Sequence, residues 1–402
     1  MNNKFFQFHK NKKSNKLVVI FSGVNAKSFM GYKLVDEFDC NKIFIREDSK
    51  SWYHSYIDGV SNNIDELITY IETFTKIFKK EDITFVGSSM GAYAALLVGT
   101  KLNIGKIIAF GPQIFINKHF PNCPKDDNYI KYKDLSLLIN QASSNIDIFV
   151  GVNELIDLYH IKDIKIRKNV NIYKIFGQPH NVMLFLNKLD LLKQYIENSI
   201  FNRKYDLSIF NNLQINFNNN NYLEKAVRLF FIDKDYENAY IEFKKLIELY
   251  PSINTFWKYA GICSFYQKNY NNAIELLENA QLIVFGDEEL HYYLGLVYFN
   301  QKDYEKSWQE FKYALDFSID KKMSYFMKLA VSLRELKRYD ESLSVLQESL
   351  HINSKNFGTY YQIAQIYKKQ NFISKALENL EIANKLRPYE QLILDEIKEL
   401  RK

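Results

Sequence analysis

Cysteine is scarce in this 402-residue chain: Cys40, Cys123 and Cys263 are the only three, and they lie far apart. That spacing excludes a disulfide framework and a paired-cysteine metal site, and it suits a reducing compartment. Long apolar runs are also lacking, and none approaches the roughly 20 residues that a membrane helix needs. The opening stretch MNNKFFQFHKNKKSNK has no apolar core ahead of a cleavage site, so no signal peptide is expected. A cytoplasmic protein without a membrane span follows from these absences. Excess charge of one sign is missing from the second half. Residues 1–200 carry 26 Lys+Arg against 20 Asp+Glu, while residues 201–402 carry 27 against 27, so the net +6 belongs to the first half. Lys4, Lys10, Lys12, Lys13 and Lys16 precede the first expected strand and read as a solubilising lead-in. No nucleic-acid-binding motif accompanies that charge, and nucleic acid is not expected as a partner.

What is present is a globular balance, 47% apolar and 25% charged, in a chain long enough for two or three domains. In the first half, short β-branched runs alternate with helical stretches. Strands are expected at 17–23, 41–47, 82–88, 106–111, 146–151 and 171–177, and helices near 62–80, 91–102, 131–142, 157–168 and 181–197. Dense apolar runs of this kind read as strands buried on both faces, and their alternation with helices predicts a mostly parallel sheet with helices on both faces. Loops after the strand ends then gather on one rim, where such folds place their sites.

One junction carries chemistry. FVGSSMGAYAAL (85–96) passes from strand to helix through Gly87-Ser88-Ser89-Met90-Gly91, a G-x-S-x-G pattern. Such a turn holds its serine in a strained bend, so its neighbours two positions away must be tiny, and the following helix offers N–H groups beside the serine oxygen. On these residues, residues 15–200 resemble the α/β-hydrolases. The resemblance implies a nucleophile at Ser89, then an acid, then a histidine along the chain. His180, in FGQPHNV, occupies the family's histidine position. His119 reads as a surface or substrate-lining residue, His160 as a surface histidine on a helix, and His9 and His54 precede the serine. In GVNELIDLYH the acid is Asp157 or Glu154: Asp157 is the residue type more often used, although it could simply cap a helix, and Glu154 has the family spacing. By resemblance the oxyanion donors are the backbone N–H of Met90 and that of Val24 or its neighbour Asn25. The family often carries His-Gly before this point, whereas this chain has Ser22-Gly23. Trp52, Tyr53, His54 and Tyr56 line a pocket or pack under a loop. Only 112–145 is available as a lid, and so small a lid suggests an open site for a bulky or polymeric acyl ester. No metal or cofactor is implied.

The second half repeats. Ala239, Ala273, Ser307, Ser342 and Ala376 are spaced by 34, 34, 35 and 34 residues, and Phe243, Leu277, Phe311, Leu346 and Leu380 follow each by four. Ala280, Ala314, Ser349 and Ala383 come three later, with Leu246 the exception, and Gly261, Gly295, Ala330 and Ala364 lie upstream. Two helices packed through small residues, with Trp257, Pro251 and Pro388 at matching places, resemble tetratricopeptide repeats. The expected organisation is an α/β-hydrolase domain over 1–200, a linker over 201–221, and an all-α tetratricopeptide superhelix over 222–402 with five repeats and a capping helix. The implied function is a Ser-His-Asp esterase or deacylase whose repeats bind a protein or peptide partner or the substrate. Acyl transfer to a glycan or protein hydroxyl, or an interaction protein with an inert hydrolase half, are the alternatives.

Overall fold

A computed structural model describes residues 2–24, 26, 28–121, 123–206 and 221–401. The expected linker falls largely on 207–220, outside the described residues. The chain divides into two compact units, Met1–Phe256 and Trp257–Lys402.

The first unit is built on a seven-stranded sheet. Its strands are β1 (Phe6–His9), β2 (Leu17–Phe21), β3 (Asn41–Ile45), β4 (Ile83–Ser88), β5 (Lys106–Phe110), β6 (Asn145–Gly151) and β7 (Val170–Ile175), in the order β1-β3-β2-β4-β5-β6-β7. All pairings are parallel except β1 with β3, which run antiparallel with Phe6 opposite Ile45. Alternation along each strand feeds two cores. Val18, Ile20, Phe44, Val86, Phe110 and Phe149 face one cluster, completed by α1 (Tyr32–Val35), α6 (Val182–Lys188) and α7 (Leu191–Ile200). The other face carries α2 (Ile64–Thr75), α3 (Met90–Leu102) and α4 (Ser136–Gln141). There Gly99 of α3 lies directly on Ile107 and Phe85. Helix α3 is buried along its whole inner run from Met90 to Gly99, which is why its apolar residues show no stripe.

Departures from the sequence reading are local. The basic lead-in contains β1, whose Phe6 is fully buried against Tyr70 and Phe74. Four residues between lysines carry too little pattern to mark an edge strand. The helix expected over 157–168 is α5 (Leu155–His160), and the one over 181–197 breaks at Asp190, which adopts φ 57° between α6 and α7. The insert after β5 buries Ile114, Ile116, Phe120 and Ile130. The helical pair α8 (Tyr222–Val227, continuing as a π-helical turn Arg228–Asp233) and α9 (Tyr236–Leu249) packs within this first unit: Phe231 meets Phe120 edge-on, and Lys162 pairs with Glu224 at 3.4 Å.

Helix α10 (Asn254–Tyr266) spans the division between units. The second unit continues with α11 (Tyr270–Ile283), α12 (Glu288–Asn300), α13 (Tyr304–Phe317), α14 (Met323–Glu335), α15 (Tyr339–Ile352), α16 (Phe357–Lys369), α17 (Ile373–Leu386) and α18 (Gln391–Leu400). The repeating small residues are the helix contacts: a Cβ on Gly261 would stand 2.6 Å from Leu277, and one on Gly295 would stand 2.7 Å from Phe311. Where serine replaces alanine, its hydroxyl donates back to the facing helix, Ser307 to Gly295 O at 3.0 Å and Ser342 to Ala330 O at 2.6 Å. Each turn within a helix pair is made by a left-handed residue at the same period: Lys234, Lys268, Lys302, Lys337 and Asn371, with φ between 56° and 63°.

Non-glycine residues pay for that conformation. Lys302→Gly and Lys337→Gly are each expected to raise stability by about 0.5–1 kcal/mol in denaturant unfolding, after the glycine's extra unfolded-state entropy is counted. A fall in both midpoints would refute strain at these turns.

Candidate active site

The elbow between β4 and α3 is set by backbone crowding. Ser89 sits at φ 53°, ψ −122°, a region costing about 1–3 kcal/mol for a non-glycine residue. Its own N–H is fixed on Phe110 O at 2.8 Å. On either side there is no room: a Cβ on Gly87 would lie 2.1 Å from Gly91 O, and one on Gly91 would lie 2.2 Å from Phe21 O. Helix α3 therefore starts hard against β2 and β4, and Ser89 is lifted at the bend. Met90 and Gly91 open the helix, where N–H groups have no intrahelical acceptor.

Two other chain segments reach the serine. His180 follows β7, and its Nε2 lies 3.0 Å from Ser89 Oγ. Its Nδ1 lies 2.7 Å from Asp157 Oδ1 on the first turn of α5. A carboxylate only accepts, so Nδ1 carries a proton and donates it to Asp157, leaving Nε2 to face the hydroxyl. Asp157 is buried, and its Oδ2 has no hydrogen-bond partner among the described residues. The imidazole is thus the group that compensates this carboxylate. Glu154 stands just before α5, caps no helix N–H with its side chain, and its charge adds to the upward pull on His180.

Burial presses the pKa of His180 down, but the charge and hydrogen bond of Asp157, aided by Glu154, outweigh it and bring it to about 9. A histidine raised in the folded state adds stability that is complete below its ordinary value of 6.5 and is lost as pH rises through about 9. The balance favours the imidazolium over the neutral ring.

The loop after β2 lies beside the elbow: a Cβ added to Gly23, the residue before Val24, would be 3.0 Å from Ser88 O and 3.8 Å from Ser89 Cβ. Asn25 is outside the described residues. This loop is tied down by groups that sequence reasoning did not assign to it. Tyr53 Oη–H donates to Ser22 O at 2.8 Å, and the buried Arg46 donates through Nη1 to Ala26 O and through Nε to Lys4 O at 2.9 Å. Lys50, Trp52 and Tyr53 all adopt positive φ, and the buried Glu47 accepts from Ser51 N at 2.8 Å to hold that bend. An arginine at a strand end reads as solvated from sequence, so no pattern marks it as buried.

The remaining candidates lie elsewhere. Trp52 is buried with Nε1–H on Gln113 Oε1 at 2.7 Å, and His54 is buried with Nδ1–H on Trp52 O at 2.8 Å, while Tyr56 is 61% exposed. His119 is on the surface, and His9 belongs to β1, on the far edge of the sheet. His160 is not the surface residue that its helix suggested. It is fully buried, accepts the Phe115 N–H at 3.2 Å, and burial, with the charge of His180, lowers its pKa to about 3. Helix α5 is covered by the insert after β5, so polarity at its surface was no guide. Among the described residues no group of three His, Cys, Asp or Glu is placed to hold a metal, and no helix is long and apolar enough to cross a membrane.

The family comparison falls on the helical repeats. The family model for subunit 3 of the anaphase-promoting complex, or cyclosome, matches residues 267–349. No curated protein matches the chain. Among solved structures, YrrB, described as a TPR protein with an unusual peptide-binding site, is 22% identical with TM-score 0.40, over 44% of this chain and 90% of its own. MamA is 17% identical with TM-score 0.39, over 42% of this chain and 93% of its own. The Cut9–Hcn1 hetero-tetramer of the same complex is 20% identical with TM-score 0.39, over 55% of this chain but only 41% of its own. The C-terminal part is a tetratricopeptide-like repeat region, joined to an α/β unit with a mostly parallel sheet.

The elbow can be checked apart from any activity. Gly91→Ala forces a Cβ onto Phe21 O and is expected to cost about 3 kcal/mol of stability. Ser89→Gly removes the strained conformation and is expected to add about 1 kcal/mol. Equal melting temperatures for both variants and the wild type would contradict a strained elbow.

Proposed function

We propose that the α/β unit is a serine hydrolase of the α/β-hydrolase type acting on carboxylic esters, and that the repeats engage a protein or peptide partner. One observation carries the enzymatic reading: the unbroken line Asp157 Oδ1, His180 Nδ1 and Nε2, Ser89 Oγ, with separations of 2.7 and 3.0 Å, ending on a strained elbow. These are the separations that base catalysis and its orienting partner require.

In this reading Ser89 Oγ attacks the acyl carbonyl carbon while His180 Nε2 takes the hydroxyl proton. The carbonyl π electrons move to oxygen, and the N–H groups of Met90 and Val24 stabilise the resulting oxyanion. Collapse breaks the bond to the alkoxide, which leaves with the proton from Nε2. Water then gives its proton to Nε2 and attacks the acyl-serine, so that carboxylic acid departs and Ser89 regains its proton. Asp157 holds the imidazole in one tautomer and stabilises its charge. Replacing water by a glycan or protein hydroxyl would give acyl transfer by the same steps. The buried, unpaired cysteines fit a cytoplasmic setting.

A second reading, an interaction protein whose α/β unit is inert, is favoured by the family match, which lies on the repeats alone. Fluorophosphonate labelling of the full chain separates the two. Wild type is expected to label at Ser89, Ser89→Ala and His180→Ala to label not at all, and Asp157→Asn to label roughly a thousand-fold or more slowly. Because the base form of His180 is needed, the wild-type rate is expected to rise about ten-fold per pH unit and to level off near 9. Folded wild type that never labels would leave only the interaction reading.

A further inference from the structure

A cleft of about 1000 Å³ opens beside the elbow, between two pieces of chain that already serve it. One wall is the segment Ser28–Leu34, which continues the loop carrying Val24. The other begins at Asn181, the residue after His180, and runs through α6 into α7. Ser88 and Asn181, the chain neighbours of Ser89 and His180, line the cleft, while Ser89 and His180 themselves do not. Its size is that of a site for an extended organic ligand.

The lining combines apolar and charged residues. Phe29, Met30, Leu34, Met183, Leu184 and Leu192 face the cleft. The first four are only partly buried and rest on the cluster beneath the sheet, so they form a floor of apolar surface without a cover. Lys33, Asp190 and Lys193 are exposed and line the cleft as well. Apolar surface beside the elbow, bordered by charged residues, matches an amphipathic molecule.

We propose that this cleft seats the apolar chain of the substrate's acyl group, making the preferred substrate a medium- or long-chain fatty acyl ester. This rests on the serine hydrolase reading of Ser89. A carbonyl carbon at Ser89 Oγ, with its oxygen toward the N–H groups of Met90 and Val24, leaves its alkyl substituent between the loop that carries Val24 and the segment that begins at Asn181. Chain burial there is sequence-independent of the alcohol, so the acyl group sets the specificity. Each methylene buried is worth about a three- to four-fold gain in binding or in kcat/KM.

Two measurements test it, one without catalysis. The full-length Ser89→Ala protein is titrated with 11-(dansylamino)undecanoic acid, read by fluorescence. Saturable binding is expected, weakened at least ten-fold by adding Met183→Trp, which fills the cleft; circular dichroism and melting temperature establish that this variant is folded, and Leu34→Trp on the opposite wall repeats the test should it not be. Absence of binding, or binding unchanged by both fillings, overturns the proposal. In wild type, kcat/KM for 4-nitrophenyl esters is expected to climb three- to four-fold per methylene from acetate to decanoate, and a flat series overturns the assignment to the acyl group. Saturable, filling-sensitive binding with no turnover of any ester would remove the hydrolase reading while leaving an apolar-chain site in place.

Discussion

Everything at the candidate site depends on how closely α3 approaches β2 and β4. With hydrogens only at Gly87 and Gly91, the helix begins within contact distance of Phe21 O, and Ser89 has no conformation open to it but a strained one. The strain of roughly 1–3 kcal/mol is sustained because the surrounding sheet and buried helix over-determine the bend. It exposes one hydroxyl at the strand ends, with the open N–H groups of the helix beside it. The parallel sheet does the rest. It brings the loops after β2, β6 and β7 to the same rim, so that Asp157 meets His180 and His180 meets Ser89 from distant parts of the chain.

A second constraint is electrostatic. Asp157 is buried with His180 as its compensating group, and the pair is worth more to the charged imidazole than to the neutral one. That bias is what a group must supply to stabilise the imidazolium formed during proton transfer.

Much of this was legible in the sequence because the relevant patterns are short and steep. Six β-branched runs ending in small or polar residues each form a strand, the elbow glycines and Ser89 stand out by their spacing, and the resemblance to the α/β-hydrolases points to His180 and to Asp157 or Glu154. The 34-residue period was legible because a glycine or alanine at each helix crossing leaves a mark that solvent exposure cannot erase. What escaped were features decided by tertiary surroundings. Strand β1 exists because an edge of β3 and the rings of Tyr70 and Phe74 accept Phe6. His160 is buried because an insert covers α5, and Arg46 is buried because the loop after β2 offers it a carbonyl. The choice between Glu154 and Asp157 needed the direction of one helical turn. The uncovered cleft left no pattern at all, since its apolar residues come from three separate helices and a loop.

The claim that Asp157 holds His180 poised on Ser89 is tested most directly by titrating the His180 ring in the full chain by NMR, following its Cε1–H resonance in wild type and Asp157→Asn. The expected result is a midpoint near 9 in wild type that drops when the carboxylate is removed. A wild-type midpoint at the ordinary histidine value of about 6.5, unmoved by Asp157→Asn, would show that the two side chains are not coupled and would contradict the account.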